Sequence, residues 1–522
     1  MTPDILRKPI SSNHFVAQAL SRDLDRLVLI GVDGERVTAG DMRDAVSRLQ
    51  QLFESLEPKP RRAAILAKNR VELVFVSNAF SFAEIVTTTL HPMGSLEDYL
   101  YVLNDAEIDT LVYDADRYET TVQDLKARAP QIRHFLSMGD SEIGENVMKA
   151  AQRFTPRQLE APLIDPTAMR GIAYSGGTTG SPKGIMVTHQ SIVTSTILQL
   201  TDWEWPHEIR HLICAPLSHA GASVLNPILM KGGHMVVMEA FNPLDAMRLI
   251  EEHRITSVLM VPTMVISMLD HPQFGEFDLS SLEVVFYGAS AFPVARLKDA
   301  IEKLGPIFMQ FYGQAEAPMS ISVMRRKDHD LTNPERLAGC GRPTSLAEVA
   351  LLDDDLNEVP DGEPGEICVR GPLVMGGYLN KAEQTEEVFK GGWLHTGDVA
   401  VRSADGFLRI VDRKKDMIIS GGFNVYAREV EDVIVDQPGV RQAAVIGVPD
   451  PKWGEAVKAV VVIEPGASIS ADEIIAAVRA RKGAIHAPKT VDFVDALPLT
   501  AIGKPDKKAL RQRYRQETAE TA

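Results

Sequence analysis

Cysteine is scarce: three in 522 residues, at Cys214, Cys340 and Cys368. They stand too far apart for a CxxC zinc pattern or a disulfide framework, and a reducing compartment is the simplest setting. Positive charge is also short, with 55 Lys and Arg against 71 Asp and Glu and a net charge of −16. Sequence-independent nucleic-acid binding needs clustered cations, so that class is excluded. A single polyanionic ligand held by a few local cations is not. Met1–Asp23 has no continuous apolar core behind its basic residues, so no signal peptide is expected. The final Glu520-Thr521-Ala522 resembles no peroxisomal address. Leu212–Met230 is uncharged, but Pro216, His219, Gly221, Asn226 and Pro227 fit a lipid-exposed helix poorly. It reads as buried structure, with no transmembrane segment, in a cytoplasmic protein. There is no fixed-period repeat and no low-complexity segment.

What is present is ordinary for a folded chain of several domains, with 45% hydrophobic and 24% charged residues. Strand-like runs at Arg62–Leu66, Leu111–Tyr113, Thr256–Val261 and Leu282–Tyr287 alternate with helical stretches at Val71–Ala79 and Met264–Asp270. Such alternation predicts α/β layers. From about Leu346, short strands at Val349–Leu352, Gly365–Arg370 and Phe407–Val411 lie between turn-rich segments, which predicts a β-rich subdomain. Asp412–Asp416 is a charged run with no apolar anchor and reads as a solvated linker. Beyond it, helices at Val430–Asp436 and Ala471–Arg481 and strands at Ala443–Val448 and Ala459–Ile463 predict a small α/β domain. The expected organisation is a large N-terminal domain over residues 1–411, with layered α/β subdomains and a β-rich one. A hinge over 412–416 and a small mobile α/β C-terminal domain over 417–522 follow.

The most informative segment is Tyr174-Ser175-Gly176-Gly177-Thr178-Thr179-Gly180-Ser181-Pro182-Lys183-Gly184, directly after the strand-like Gly171–Tyr174. Its glycines let backbone N–H groups approach an anion closely. Ser175, Thr178 and Thr179 add hydroxyls and Lys183 a cation, so the stretch can wrap a polyphosphate. It lacks the Gly-x4-Gly-Lys-Ser/Thr spacing of a Walker loop.

This stretch resembles the phosphate-binding signature of the adenylate-forming (AMP-binding) enzyme superfamily, in its acyl- and aryl-CoA synthetase branch. Further motifs follow in that family's order: Tyr312-Gly313-Gln314-Ala315-Glu316, Gly392-Trp393-Leu394-His395-Thr396-Gly397-Asp398, Asp412-Arg413-Lys414-Lys415-Asp416, Gly421-Gly422 and Gly503-Lys504. The resemblance spans essentially the whole chain. It implies that a carboxylate attacks the α-phosphorus of ATP, giving an acyl-adenylate and pyrophosphate, and that the thiol of CoA then displaces AMP. Bringing two anions together needs cations, donors and Mg²⁺.

By this resemblance, Ser175, Gly177, Thr178, Thr179, Gly180 and Lys183 hold the phosphates. Glu316, with Thr178, is the expected Mg²⁺ site; a solvated loop carboxylate is the alternative. Tyr312 is similar to the aromatic that stacks on adenine, or is a core tyrosine. Gly288, Ala289 and Ser290 resemble the opposite wall, and Gly313, Gln314 and Ala315 continue the nucleotide site. Asp398 and Arg413 are the expected ribose contacts. Lys504 is similar to the mobile lysine that bridges carboxylate and α-phosphate; a solvated surface lysine is the alternative. Lys415 falls at the family's hinge, about which the small domain rotates to bring Gly421 and Gly422 to the thiol route. Trp453 is similar to an aromatic near CoA, or packs within its domain.

Three positions depart from the pattern: Ala315 stands where a Thr is usual, Gly176 where a Ser or Thr is usual, and Ala427 where a Pro is usual. His219 stands where amino-acid activators carry Asp, and a histidine there is typical of acyl- and aryl-CoA ligases, where it lines the gate between carboxylate and thiol. A satisfied core histidine is the alternative. Gly221, Ala222, Gly288 and Ala289 are small enough to leave room for a ring or chain, so the expected acid is aromatic, alicyclic or fatty. The chain ends soon after Lys504, which favours free CoA as the acceptor. A carrier protein, a homodimer and an ATP-binding pseudoenzyme remain open.

Overall fold

The computed structural model describes residues 9–175, 182–420, 423–450, 453–499 and 505–521, with Ser175 described in its backbone only. Among these residues four sheets form, of nine, seven, four and five strands. In the nine-stranded sheet, Leu27–Ile30, His234–Val237, Arg210–Ile213, Ser257–Met260, Val284–Tyr287 and Phe308–Gln314 run parallel, and antiparallel strands close both edges. The seven-stranded sheet is parallel from Glu145–Asn146 through Met169–Ser175, and Lys183–Thr188 is antiparallel at its edge. Parallel strands are short continuous apolar runs because helices cover both faces.

One apolar core joins the two large sheets. Ile65 and Val112 of one and Phe286 and Met309 of the other pack with the helices Ala39–Ser55 and Val71–Phe82. The second helix is buried nearly all round, as its apolar Leu73–Val76 run and low polar content require. Leu212–Met230 is not one helix. It breaks into the strand Arg210–Ile213, a loop, a 3-10 turn and the short helix Leu225–Met230, in keeping with its prolines and glycine. Among the described residues no helix is long and apolar enough to cross a membrane.

The four-stranded antiparallel sheet, Glu348–Leu352, Pro364–Arg370, Leu394–Arg402 and Leu408–Arg413, is the β-rich unit expected from Leu346 onward. The five-stranded sheet beyond residue 417 has its own core around Val430, Val433, Val457 and Val461. The charged run between them departs from the expectation of a solvated linker. Asp412 and Arg413 still belong to the strand Leu408–Arg413, and Asp412 is buried and accepts a hydrogen bond from Arg428 N at 3.3 Å. Lys414 pairs with Asp354 at 2.7 Å and Glu366 at 3.2 Å, and Asp416 with Arg511 at 2.7 Å. Charges paired across an interface need no apolar anchor, so the sequence pattern of a linker also suits a polar seam. Only the 3-10 turn Lys414–Asp416, with Lys415 exposed, separates the two sheets.

Candidate active site

Parallel α/β sheets bind ligands outside the carboxyl ends of their strands. Met169–Ser175 runs into residues 176–181, Arg210–Ile213 into the His219 loop, Val284–Tyr287 into Gly288-Ala289-Ser290, and Phe308–Gln314 into Ala315-Glu316. Side chains from all four ends line one cleft of about 2950 Å³, joined by Gly397 and Arg413 of the β-rich unit and by Arg428, Lys507 and Arg511 of the small domain. A single drug-sized ligand fills roughly 300–1,000 Å³. This cleft has room for a nucleotide and a second substrate.

At one end the structure brings together Lys183, Glu316 and a tyrosine not anticipated from the sequence. Tyr378 is buried, its hydroxyl donates to Glu316 Oε1 at 3.0 Å, and Lys183 Nζ lies 4.6 Å from its ring centre. Residues 376–379 hold it by extending the sheet: Met186 N donates to Gly377 O at 2.9 Å and Leu379 N to Gly184 O at 2.7 Å. Gly377 has φ +120°, and a Cβ there would stand 2.8 Å from Thr385, so glycine is needed. Burial, and then the Glu316 carboxylate, pushes the Tyr378 phenol up, keeping it a donor at neutral pH. Among the described residues Glu316 Oε2 accepts no hydrogen bond. One carboxylate oxygen facing a cleft is a hard donor of the kind Mg²⁺ takes beside phosphate oxygens, so the residue fits that ion.

Next to Gly397 of the cleft wall, Asp398 is buried with three donors. Tyr312 Oη at 2.6 Å and Gln314 Nε2 at 2.8 Å reach Oδ2, and Arg413 Nε reaches Oδ1 at 2.6 Å from across the antiparallel pair. An ionised carboxylate offers about four lone-pair positions. Three are used, which leaves it able to accept from an incoming hydroxyl. The Tyr312 residue is 9% exposed, packs with Ile185, Leu198 and Ala317, and donates its hydroxyl to Asp398. Gly313 and Ala315 line the cleft beside it, and Ala289 and Ser290 line it from the next strand.

His219 lines the same cleft. It is accessible to solvent yet walled in by the cleft, and this burial, with His91 second, pushes its pKa down to about 4. Its Nδ1 lies 2.8 Å from Ser218 Oγ, and the His91 ring meets it edge-on at 4.9 Å. His91 is in turn fixed by the Met93 N–H, which donates to its Nδ1 at 3.1 Å. A neutral imidazole therefore faces the cleft at physiological pH. Two of the glycines expected to leave acyl space do not. A Cβ on Gly221 would stand 2.4 Å from Ala215 O, and one on Gly288 2.4 Å from Phe311 O and 2.7 Å from its ring. Both are glycine because protein fills the space; Ala222 does face the cleft.

Residues 15–379 match the AMP-binding enzyme family, and residues 429–504 match the AMP-binding enzyme C-terminal domain. The chain belongs to the AMP-binding enzymes, in their acyl-CoA synthetase branch. It is 46% identical to a medium/long-chain-fatty-acid–CoA ligase of Mycobacterium tuberculosis, over 98% of this chain and 91% of that protein. It is 41% identical to a feruloyl-CoA synthase of an Amycolatopsis species, over 92% and 94%. The amide bond synthetase McbA of Marinactinospora thermotolerans has the same fold, with a TM-score of 0.87 and 32% identity, covering 96% of this chain and 100% of that one.

Several site positions expected from the sequence lie outside the described residues: Gly177, Thr178, Thr179 and Gly180 of the phosphate site, Gly421 and Gly422 of the CoA route, the catalytic Lys504, and the Ser175 side chain. Pro505, next to Lys504, lines the cleft. Trp453 is 37% exposed with Lys489 Nζ 5.1 Å from its ring centre, so it is a surface residue of the small domain and no part of its core. A further cluster escaped sequence reading although His395 lies inside a motif. Glu366 accepts from Gly397 N at 2.9 Å, faces His395 Nδ1 at 3.0 Å and pairs with Lys414, tying the Asp398 strand to the turn that carries Lys415.

Proposed function

We propose that the chain is an ATP-dependent carboxylic acid–CoA ligase that forms an acyl-adenylate and then an acyl-CoA thioester, releasing pyrophosphate and AMP. The observation that carries this is the division of the cleft. A buried Asp398 with a spare acceptor position marks a ribose site, Lys183, Tyr378 and Glu316 mark a phosphate end, and the neutral His219 lines the same cleft. Glu316, with Thr178 by resemblance, would hold Mg²⁺, which would neutralise phosphate charge. Lys183 contributes a fixed cation there, and Tyr378 orients Glu316. His219, uncharged, does not compete as a counter-ion for the acid's carboxylate, and can gate the thiol path.

Residues 412–416 serve as the hinge between a 1–411 domain and a 417–522 domain. Rotation would exchange the ion pairs of Lys414 and Asp416, and the pose in which Pro505 lines the cleft suits adenylation, with Lys504 near the α-phosphate. The acid is fatty or aromatic, as the names of the two relatives suggest. Acid-dependent exchange of labelled pyrophosphate into ATP tests the first step. No exchange with any fatty, aryl or alicyclic acid would remove this reading and leave an ATP-binding protein without turnover.

Ala315 lines the cleft where the family resemblance expects a threonine hydroxyl. One such hydrogen bond contributes about 0.5–1.5 kcal/mol, or up to ~3 to a charged group. Ala315→Thr is therefore expected to raise the adenylation rate by roughly two- to tenfold in single-turnover experiments. An unchanged or lower rate contradicts the assignment of this position to the α-phosphate.

A further inference from the structure

Arg170 is the most unusual charge in the molecule. The side chain is partly buried, and burial alone pushes its pKa down to about 10, so it is still a cation at neutral pH. Its one hydrogen bond among the described residues goes from Nη2 to Ser77 O at 3.2 Å, and no carboxylate there pairs with it. Arg70, also half-buried, shows the usual arrangement, with Glu72 at 2.7 Å and Asp114 at 2.9 Å. A partly buried charge without a counter-ion is costly unless something else meets it.

Its surroundings say where that partner enters. Arg170 keeps accessible surface, and that surface lines the same cleft as His219. A β-bulge aims it there. Met169 pairs with Thr188 and Gly171 with Val187, so Arg170 is the extra residue, and bulges re-aim side chains in this way. It stands five residues before Ser175 on one strand, about 16 Å from the phosphate end at ~3.3 Å per residue. Ser77, whose carbonyl it meets, lies on the helix Val71–Phe82, and Asn78 and Ser81 of that helix also line the cleft. His189, near enough for the Arg170 charge to act on it, has a buried Nδ1 with no partner among the described residues.

We propose that Arg170 forms a far-end subsite of the acyl pocket, and that it receives an oxygen acceptor, a carboxylate or a carbonyl, borne by the acid at the end opposite its reacting carboxylate. This rests on the ligase reading above and narrows its substrate class. The acid spans the cleft, with one carboxylate at the nucleotide and the other oxygen on the guanidinium. A plain hydrocarbon end would leave the cation unpaired, so acids of equal length differ in specificity according to what they carry at that end.

Matched acids test this: octanoate, octanedioate and the octanoate analogue with a ketone beside its terminal methyl. AMP release is measured for the full-length protein and for Arg170→Met and Arg170→Lys, with calorimetric titration of octanedioate and octanoate beside it. The wild type is expected to favour the oxygen-bearing acids in kcat/KM. In Arg170→Met the octanedioate-to-octanoate ratio should fall about tenfold or more, the scale of one charged hydrogen bond, and Arg170→Lys should retain much of it. An equal loss for all three acids would make Arg170 a structural residue only and overturn the proposal. If no acid released AMP, the ligase reading would fail by itself. The titration would still decide this subsite, since octanedioate binding that is absent, or the same in Arg170→Met, overturns it.

Discussion

Asp398→Ala is expected to lower kcat/KM for ATP by roughly one to two orders of magnitude, mostly through a higher KM. The carboxylate is buried, and Tyr312, Gln314 and Arg413 converge on it while one acceptor position stays open. A hydrogen bond to a charged group contributes about 1.5–3 kcal/mol, and the one open position accepts one ribose hydroxyl. The same change strands the Tyr312 hydroxyl, so some stability is also lost. Asp398→Asn separates the two effects because it keeps the shape and removes the charge. Steady-state kinetics with ATP varied, beside urea denaturation, reads both. An unaltered KM for ATP in a folded Asp398→Asn protein would remove Asp398 from the ribose site.

Lys504→Ala is expected to reduce adenylation by about 10³-fold or more while sparing thioester formation from preformed adenylate. In the first half-reaction a compact cation must stand between two anions, the carboxylate and the α-phosphate, where such stabilisation contributes about 3–4 kcal/mol or more. In the second, the group that leaves is already AMP, so that cation is not needed between two anions. Pro505 at the cleft supports the pose this requires. Comparing pyrophosphate release from ATP and acid with CoA ester formation from synthetic adenylate checks it. Equal loss in both halves would show Lys504 to be structural.

Much of this was legible in the sequence because it is local. Alternating apolar runs gave the layered sheets, and the strands expected at Arg62–Leu66 and Gly365–Arg370 are found there within a residue. His219, Glu316 and Asp398 could be singled out because each sits in a motif with its neighbours. What sequence could not provide depends on packing between distant segments. Tyr378 reaches Glu316 only because residues 376–379 add to the edge of a sheet. Arg170 reaches the cleft only through a bulge, which no periodicity announces. Gly221 and Gly288 read as space because a missing side chain looks like room, whereas backbone and the Phe311 ring already occupy it. The charged run at 412–416 read as solvated because its partners, Asp354, Glu366 and Arg511, are far away in the chain.

The central claim is that this cleft joins an acid to a thiol through AMP. The most direct measurement follows AMP and pyrophosphate in one reaction containing ATP, Mg²⁺ and a panel of fatty, dicarboxylic and aryl acids, with and without CoA. Acid-dependent pyrophosphate release, followed by AMP release and thioester only when CoA is added, is the predicted result. ATP bound tightly with no pyrophosphate from any acid, or an adenylate that CoA never discharges, would contradict it.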